Sequence, residues 1–233
     1  MKVLVAPLNW GIGHATRSIP IIEGHLNKGN NVFIASSGEA LQLLKSRFPL
    51  LSFYELPDYN IKYHKHLSVW LSICLQGGKI LNSIRREHKA TTRLYQEHKF
   101  DLIISDNRYG VYNTSCRSQF ICHQLNPIVP SRLFQRLSEY IHRTLCKHFD
   151  EILVPDYVEE SKRLSGELSS LKLKWKQSIL FVNPLSQLNV PVIGNQGTNG
   201  ILVMLSGVEP QRSILEAKLI SHLENIENKL TVV

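Results

Sequence analysis

The sequence predicts an α/β fold: a mostly parallel sheet with helices on both faces, then the opening of a second α/β domain. Three observations carry this. Short apolar runs alternate with segments whose apolar residues recur at helical spacing. The alternation repeats at intervals that suit crossover units, which set strands parallel. A stretch rich in Pro, Gly, Asn and Gln, residues 185–199, then separates a last strand–helix–strand from the rest.

Lys2 to Leu8 reads as a buried strand that ends where Asn9, Trp10 and Gly11 break the run. Ile19, Ile22 and Leu26 mark a helix over His14 to Leu26, closed by Lys28-Gly29-Asn30. Asn31 to Ser36 is a second strand, Glu39 to Arg47 a second helix and Leu50 to Leu56 a third strand. A long helical region, Leu67 to His98, is interrupted at Gly77-Gly78. Phe100 to Ser105 is a strand ending at Asp106-Asn107-Arg108-Tyr109-Gly110, and Gln119 to Gln124 is another. Ser131 to Lys147 repeats Leu133, Leu137, Ile141 and Leu145 at intervals of four, an amphipathic helix. Glu151 to Val154 and Ile179 to Val182 add two strands. The expected organisation is a domain over 1–184, a linker over 185–199 and the first β-α-β unit of a truncated domain over 200–233. So short a unit cannot bury a core of its own.

Composition narrows the function. The longest apolar stretch, Leu67 to Leu75, falls far short of the roughly 18 to 20 residues of a membrane span. The N-terminal apolar run is too short for a secretory signal, so a cytoplasmic protein is expected. Cys74, Cys116, Cys122 and Cys146 form no Cys-x-x-Cys pair and read as buried free thiols; the spacing of Cys116, Cys122 and His123 is not that of a zinc site. The net charge of +8 gathers between residues 60 and 100, where eight Lys and Arg face only Glu87 and Glu97. This run is either a solvated helix face or a surface for an anionic partner. Nucleic acid is not expected, since aromatic residues are few and no binding motif accompanies the charge. The apolar stretch beside it is either a core helix or, with the cations of 67–99, a contact with an anionic membrane.

Sheets of this kind bind ligands at the carboxyl ends of their strands. There stands Gly11-Ile12-Gly13-His14-Ala15-Thr16-Arg17, joining the first strand to the first helix. Its glycines permit a tight turn and a close approach, and the helix start offers unpaired N–H groups to an anion. His14 and Arg17, three residues apart, share a helix face. A dinucleotide fingerprint would need a third glycine, where Thr16 stands, and an acid after the second strand, where Ser36 and Ser37 stand. An NAD-dependent oxidoreductase is therefore the weaker reading. Asp106 ends a central strand, where it is either a turn cap or the partner of His14.

The stretch Ala6 to Arg17 resembles the opening of MurG-like glycosyltransferases, family 28, whose two Rossmann-like domains form the GT-B fold. Asp101 to Gly110, His123-Gln124-Leu125 and Ser206-Gly207-Val208-Glu209-Pro210-Gln211-Arg212 resemble further family stretches in the same order. The resemblance implies that the long domain binds a glycan or glycolipid acceptor, and that a nucleotide-sugar donor binds the second domain. It implies inverting transfer, with N-acetylglucosamine a candidate sugar, and His14 as the base that takes the acceptor proton. Asp106 would orient it. Gly11, Gly13, Thr16, Arg17, Asn107, Arg108, Tyr109, His123 and Gln124 would line the acceptor side, and Ser206, Gly207, Glu209 and Arg212 the donor side. No cofactor is expected beyond the donor, and no metal, since no Asp-x-Asp triplet occurs. Ser170, Asn183, Gln187 and Val208 depart from the family pattern. The donor domain is expected to be incomplete and the chain alone inactive. A non-catalytic module holding an anionic ligand at the Gly11 to Arg17 helix start is the alternative.

Overall fold

A computed structural model of the chain describes residues 1–62, 69–129, 131–172, 174–186, 201–205, 209–223 and 230–232. The chain divides into two compact units, residues 1–59 with 78–187 and residues 60–77 with 188–233. The elements begin with β1 (Lys2–Pro7), α1 (Ile12–Asn27), β2 (Asn31–Ser36), α2 (Gly38–Arg47) and β3 (Ser52–Glu55). Then come α3 (Val69–Leu75), α4 (Gly77–His98), β4 (Leu102–Asp106), β5 (Arg117–Ile121) and α5 (Arg132–Cys146). After β6 (Glu151–Val154) and β7 (Ser178–Phe181) the second unit holds β8 (Ile201–Val203), α6 (Gln211–Leu223) and β9 (Leu230–Val232).

In the first unit seven strands form one sheet in the order β3-β2-β1-β4-β5-β6-β7, every neighbouring pair parallel. The strand pattern explains why both faces are covered. Val3, Val5, Val32, Ile34 and Ile104 point to one face, against Ala15, Ile19 and Ile22 of α1 and Ala40 and Leu44 of α2. Leu4, Ala6, Phe33, Ala35 and Ile103 point to the other, against Ala90, Leu94 and Tyr95 of α4. Phe120, Ile152 and Val154 pack with Cys146, Phe149 and Trp175 in a further cluster toward the β7 edge. In the second unit, β8 pairs in parallel with β9.

Four sequence expectations shift. Helix α1 starts at Ile12, two residues before the predicted start, because Gly11 at φ 77° and ψ 165° supplies a turn open to glycine alone. Strand β5 stops at Ile121, which leaves His123 and Gln124 in the loop after it. The break in the long helical region falls at Gln76, whose N–H closes early on the Ile73 carbonyl and whose side chain donates to the Ser72 carbonyl. Cys74 is exposed and Cys116 half-buried, whereas Cys122 and Cys146 are buried as expected. Most of the predicted linker, and Leu67 with Ser68, lie outside the described residues. Among the described residues no helix is long and apolar enough to cross a membrane.

Past β6, the buried Asp156 carboxylate organises the loop toward β7. It accepts from the N–H of Tyr157 (2.8 Å), Leu164 (2.8 Å) and Ser165 (3.0 Å) and from the Ser169 hydroxyl (2.8 Å). Burial pushes its pKa up, but these four donors outweigh that and hold it at about 2, below the ordinary 3.8. A carboxyl depressed in the fold stabilises fully above the ordinary value and loses that contribution as the pH falls through the folded one. Wild type should therefore lose stability between about pH 4 and pH 2. Asp156→Ala should start lower and fall less steeply over that window, as urea denaturation at stepped pH would report.

Candidate active site

The order of the sheet reverses between β1 and β4, and crossovers leave those two strands toward opposite sides. Their carboxyl ends are held in register, Pro7 opposite Asp106. The Leu8 N–H clips the next residue to the Asp106 carbonyl at 3.0 Å. From this crevice the Gly11–Gly13 turn leads into α1. A Cβ at either Gly11 or Gly13 would meet nothing within 4 Å, so the turn faces open space. Its cap residue has no side chain, and the first helical turn holds no acid. The N–H groups there meet no acid from the helix's own first turn.

One turn into α1, His14 and Arg17 converge on Asp106. The carboxylate is fully buried, while His14 and Arg17 expose 13% and 16% of their side chains. His14 Nδ1 lies 3.0 Å from Asp106 Oδ1, and Arg17 Nε donates to Oδ2 at 2.6 Å. Arg17 Nη2 donates to Oδ1 and also stands 2.7 Å from His14 Nδ1. Burial alone would push the Asp106 carboxyl up, but the hydrogen bonds and charges of Arg17 and His14 hold it below the usual carboxylate range. Burial likewise pulls the Arg17 guanidinium down, and its bond to Asp106 more than reverses this.

The geometry leaves Nδ1 two choices. It can donate to Asp106, which frees the Nε2 lone pair, or accept from Arg17, which puts the proton on Nε2. Only the first makes a base of the outer nitrogen. The buried Asp106 carboxylate at 3.0 Å calls for the first tautomer, and the Arg17 donor at 2.7 Å calls for the second.

The other predicted residues divide. Thr16 is turned back on the helix, its hydroxyl donating to the Gly13 carbonyl at 3.1 Å. His123 stands half-buried in the loop after β5; burial and then the positive charges of Arg17 and His14 lower its pKa, which places it within the field of the site. Gln124 is exposed. Asn107 is half-buried at φ 56°, a left-handed turn that asparagine tolerates. Glu209 and Arg212 meet each other at 3.9 Å near the start of α6, while Ser206 and Gly207 lie outside the described residues.

Arg108 and Tyr109 do not line the crevice as the sequence suggested. Arg108 is fully buried, and each of its three side-chain nitrogens donates to protein. Nε donates to the Pro7 carbonyl at 3.0 Å, Nη1 to Pro57 at 3.1 Å and to Glu87 at 2.6 Å, and Nη2 to the Ser37 hydroxyl at 2.8 Å. Glu87 in turn accepts from the Tyr59 hydroxyl at 3.0 Å and the Gly110 N–H at 2.9 Å. The ends of β1, β2, β3 and β4 are thus tied to α4 beneath the site. Gly110 is part of this close approach, since a Cβ there would press on the Ile84 carbonyl and stand 2.9 Å from His88 N. The Tyr109 hydroxyl bonds His142 Nδ1 at 2.9 Å, and its ring packs on Phe120. Glu87, Tyr59 and Ser37 were not expected to hold Arg108; the one available signal was an acid at position 87 inside a basic run. Among the described residues no group of three or more His, Cys, Asp or Glu could hold a metal ion.

The switch point of the parallel sheet thus carries an imidazole and a guanidinium on one buried carboxylate, beside a helix start with no side-chain cap. Residues 1–129 match the family described as Glycosyl transferase family 1, and the chain belongs to that family. Among curated proteins nothing matches the chain. Solved structures share its fold. MurG of Acinetobacter baumannii aligns at a TM-score of 0.54 with 10% identity, over 99% of this chain and 58% of that one. The spinosyn rhamnosyltransferase SpnG aligns at 0.60 with 12% identity, over 100% and 64%. Arabidopsis thaliana UGT89C1, solved with quercetin, aligns at 0.63 with 14% identity, over 99% and 64%. The chain thus spans less than two thirds of each of these enzymes.

Proposed function

We propose that this chain is the acceptor-binding half of an inverting glycosyltransferase with His14 as its general base. The observation that carries the reading is the His14–Asp106 contact at 3.0 Å, with Nε2 turned away from the carboxylate. In this reading Nε2 removes the acceptor hydroxyl proton as that oxygen attacks the anomeric carbon, and the leaving nucleotide diphosphate departs from the opposite face. Asp106 holds the tautomer and stabilises the imidazolium that forms. Arg17 keeps Asp106 ionised. His123 and Gln124 border the acceptor, and the helix start at Gly11 to Gly13 accepts its polar or anionic groups.

In this reading the donor belongs to a second domain, with Ser206, Gly207, Glu209 and Arg212 on the donor side. Phytolacca americana UGT2, solved in complex with UDP-2fluoro-glucose and pterostilbene, is a neighbour of this fold. A glycan or lipid-linked acceptor is the substrate class proposed here, with N-acetylglucosamine a candidate sugar. The exposed Arg85, Arg86, Lys89 and Arg93 of α4 suit peripheral contact with an anionic membrane at its cytoplasmic face. A second reading, a non-catalytic module that holds an anion, draws on the uncapped and acid-free start of α1.

The test is a form of the protein carrying a complete second domain, assayed with a panel of nucleotide sugars. Release of the nucleoside diphosphate, dependent on acceptor, is the expected result. A folded extended protein that binds anions but turns over no donor would leave the binding module as the reading that survives.

A further inference from the structure

At the opposite end of the sheet from His14, the last turns of α5 and the segment leading into β7 enclose an open groove of about 370 Å³. Arg143 and Lys147 line it from the helix, Lys174 and Lys176 from the strand approach, and Tyr140 and Trp175 supply aromatic walls. Among the described residues no carboxylate lines it. Among the described residues none of the four cations is paired with a carboxylate; Arg143 reaches only the Glu139 carbonyl, at 3.4 Å. The deficit is local, for nearby Lys172 finds Glu167 at 3.1 Å. On the same wall the Trp175 indole N–H is buried with no acceptor.

Four positive charges about one concavity repel each other, and an anion in the groove relieves that repulsion. The planar guanidinium of Arg143 suits a phosphate bidentately, and the three ammonium groups add point charges around it. We propose that this groove is a phosphate-binding site, independent of the His14 site and of the reaction assigned to it. Its ligand is a phosphate or diphosphate group whose attached body rests on the Tyr140 and Trp175 rings. Such a group comes either from a soluble phosphorylated molecule or from a phospholipid. The second source is in play because α5 exposes Leu137 and Ile141 on the approach to the groove, at 51% and 45%.

The test uses the 233-residue chain. Inorganic pyrophosphate is titrated calorimetrically at low and moderate salt, and phosphatidylglycerol vesicles are sedimented with the protein against phosphatidylcholine vesicles. Lys174→Ala/Lys176→Ala is compared with Lys28→Ala/Lys45→Ala, which removes the same charge from exposed positions far along the sequence. The expected result is saturable binding that weakens at least tenfold in the Lys174/Lys176 variant and is unchanged in the other. Pyrophosphate binding with that selectivity assigns the site to soluble phosphates, and selective vesicle binding without pyrophosphate binding assigns it to lipid headgroups. Equal loss in both variants reduces the effect to net charge and overturns the proposal. So does the absence of binding to either probe at low salt.

Discussion

Arg108→Met lowers the stability of the first unit by about 3–5 kcal/mol, the cost of leaving one partner of a buried pair alone. The methionine occupies a similar volume, so the loss is electrostatic and not a cavity. Glu87 stays behind, fully buried, with only the Tyr59 hydroxyl and Gly110 N–H to face it. The Pro7 and Pro57 carbonyls and the Ser37 hydroxyl lose a partner as well. The effect carries a pH signature. Burial already pushes the Glu87 carboxyl above its ordinary value, against the pull of Arg108. A carboxyl raised in the fold favours the folded state most at low pH and loses that contribution as the pH rises through the folded value. Removing Arg108 raises it further, so the deficit should be larger near pH 8 than near pH 5. Urea midpoints of wild type and variant at the two pH values measure it. A midpoint shift under about 1 kcal/mol, or one independent of pH, would mean the pair does not behave as a buried ionic contact.

His14→Ala in the extended form should cut turnover by about 10²–10⁴, the usual worth of a positioned base. The fold should survive it, because the imidazole is partly exposed and Arg17 continues to neutralise Asp106 through two nitrogens. Asp106→Asn is the harsher change. It weakens the orientation of His14 and leaves the Arg17 guanidinium without its counter-charge, so activity and stability fall together. The comparison separates chemistry from architecture. If His14→Ala spares turnover while the thermal midpoint is unchanged, the base lies elsewhere and His123, which shares the field of Arg17, becomes the next group to remove.

The fold was legible because its signals are local. Val3 to Ala6, Val32 to Ala35 and Leu102 to Ile104 are apolar on both faces of their strands, and sequence periodicity reports that directly. The meeting of His14 and Asp106 was legible for a related reason: Asp106 ends its strand and His14 follows a strand's glycine turn, at the carboxyl end of a parallel sheet. Arg108 misled because its burial is set by residues far along the chain, Glu87 at a separation of 21 and Pro7 at 101. A charged residue in a strand-end loop looks like a cleft residue until the helix that neutralises it is in place. Tyr109 misled similarly, since its partner His142 arrives only with α5. The thiol of Cys74 was read as buried along with the other three, yet its helix leaves it exposed, a matter of rotation about the helix axis that an unpatterned apolar run does not fix.

The position of β1 and β4 within the sheet bears on how the protein can fail. Two strands, β3 and β2, must be shed from one edge before β1 is reached, and three, β7, β6 and β5, from the other before β4. Fraying therefore spends itself on the flanks and leaves the pairing of Pro7 with Asp106 among the last contacts to open. The crevice at the carboxyl ends of β1 and β4 has no edge strand of its own to melt. A molecule that has lost only its flanking strands still keeps the β1–β4 pairing that sets Pro7 opposite Asp106.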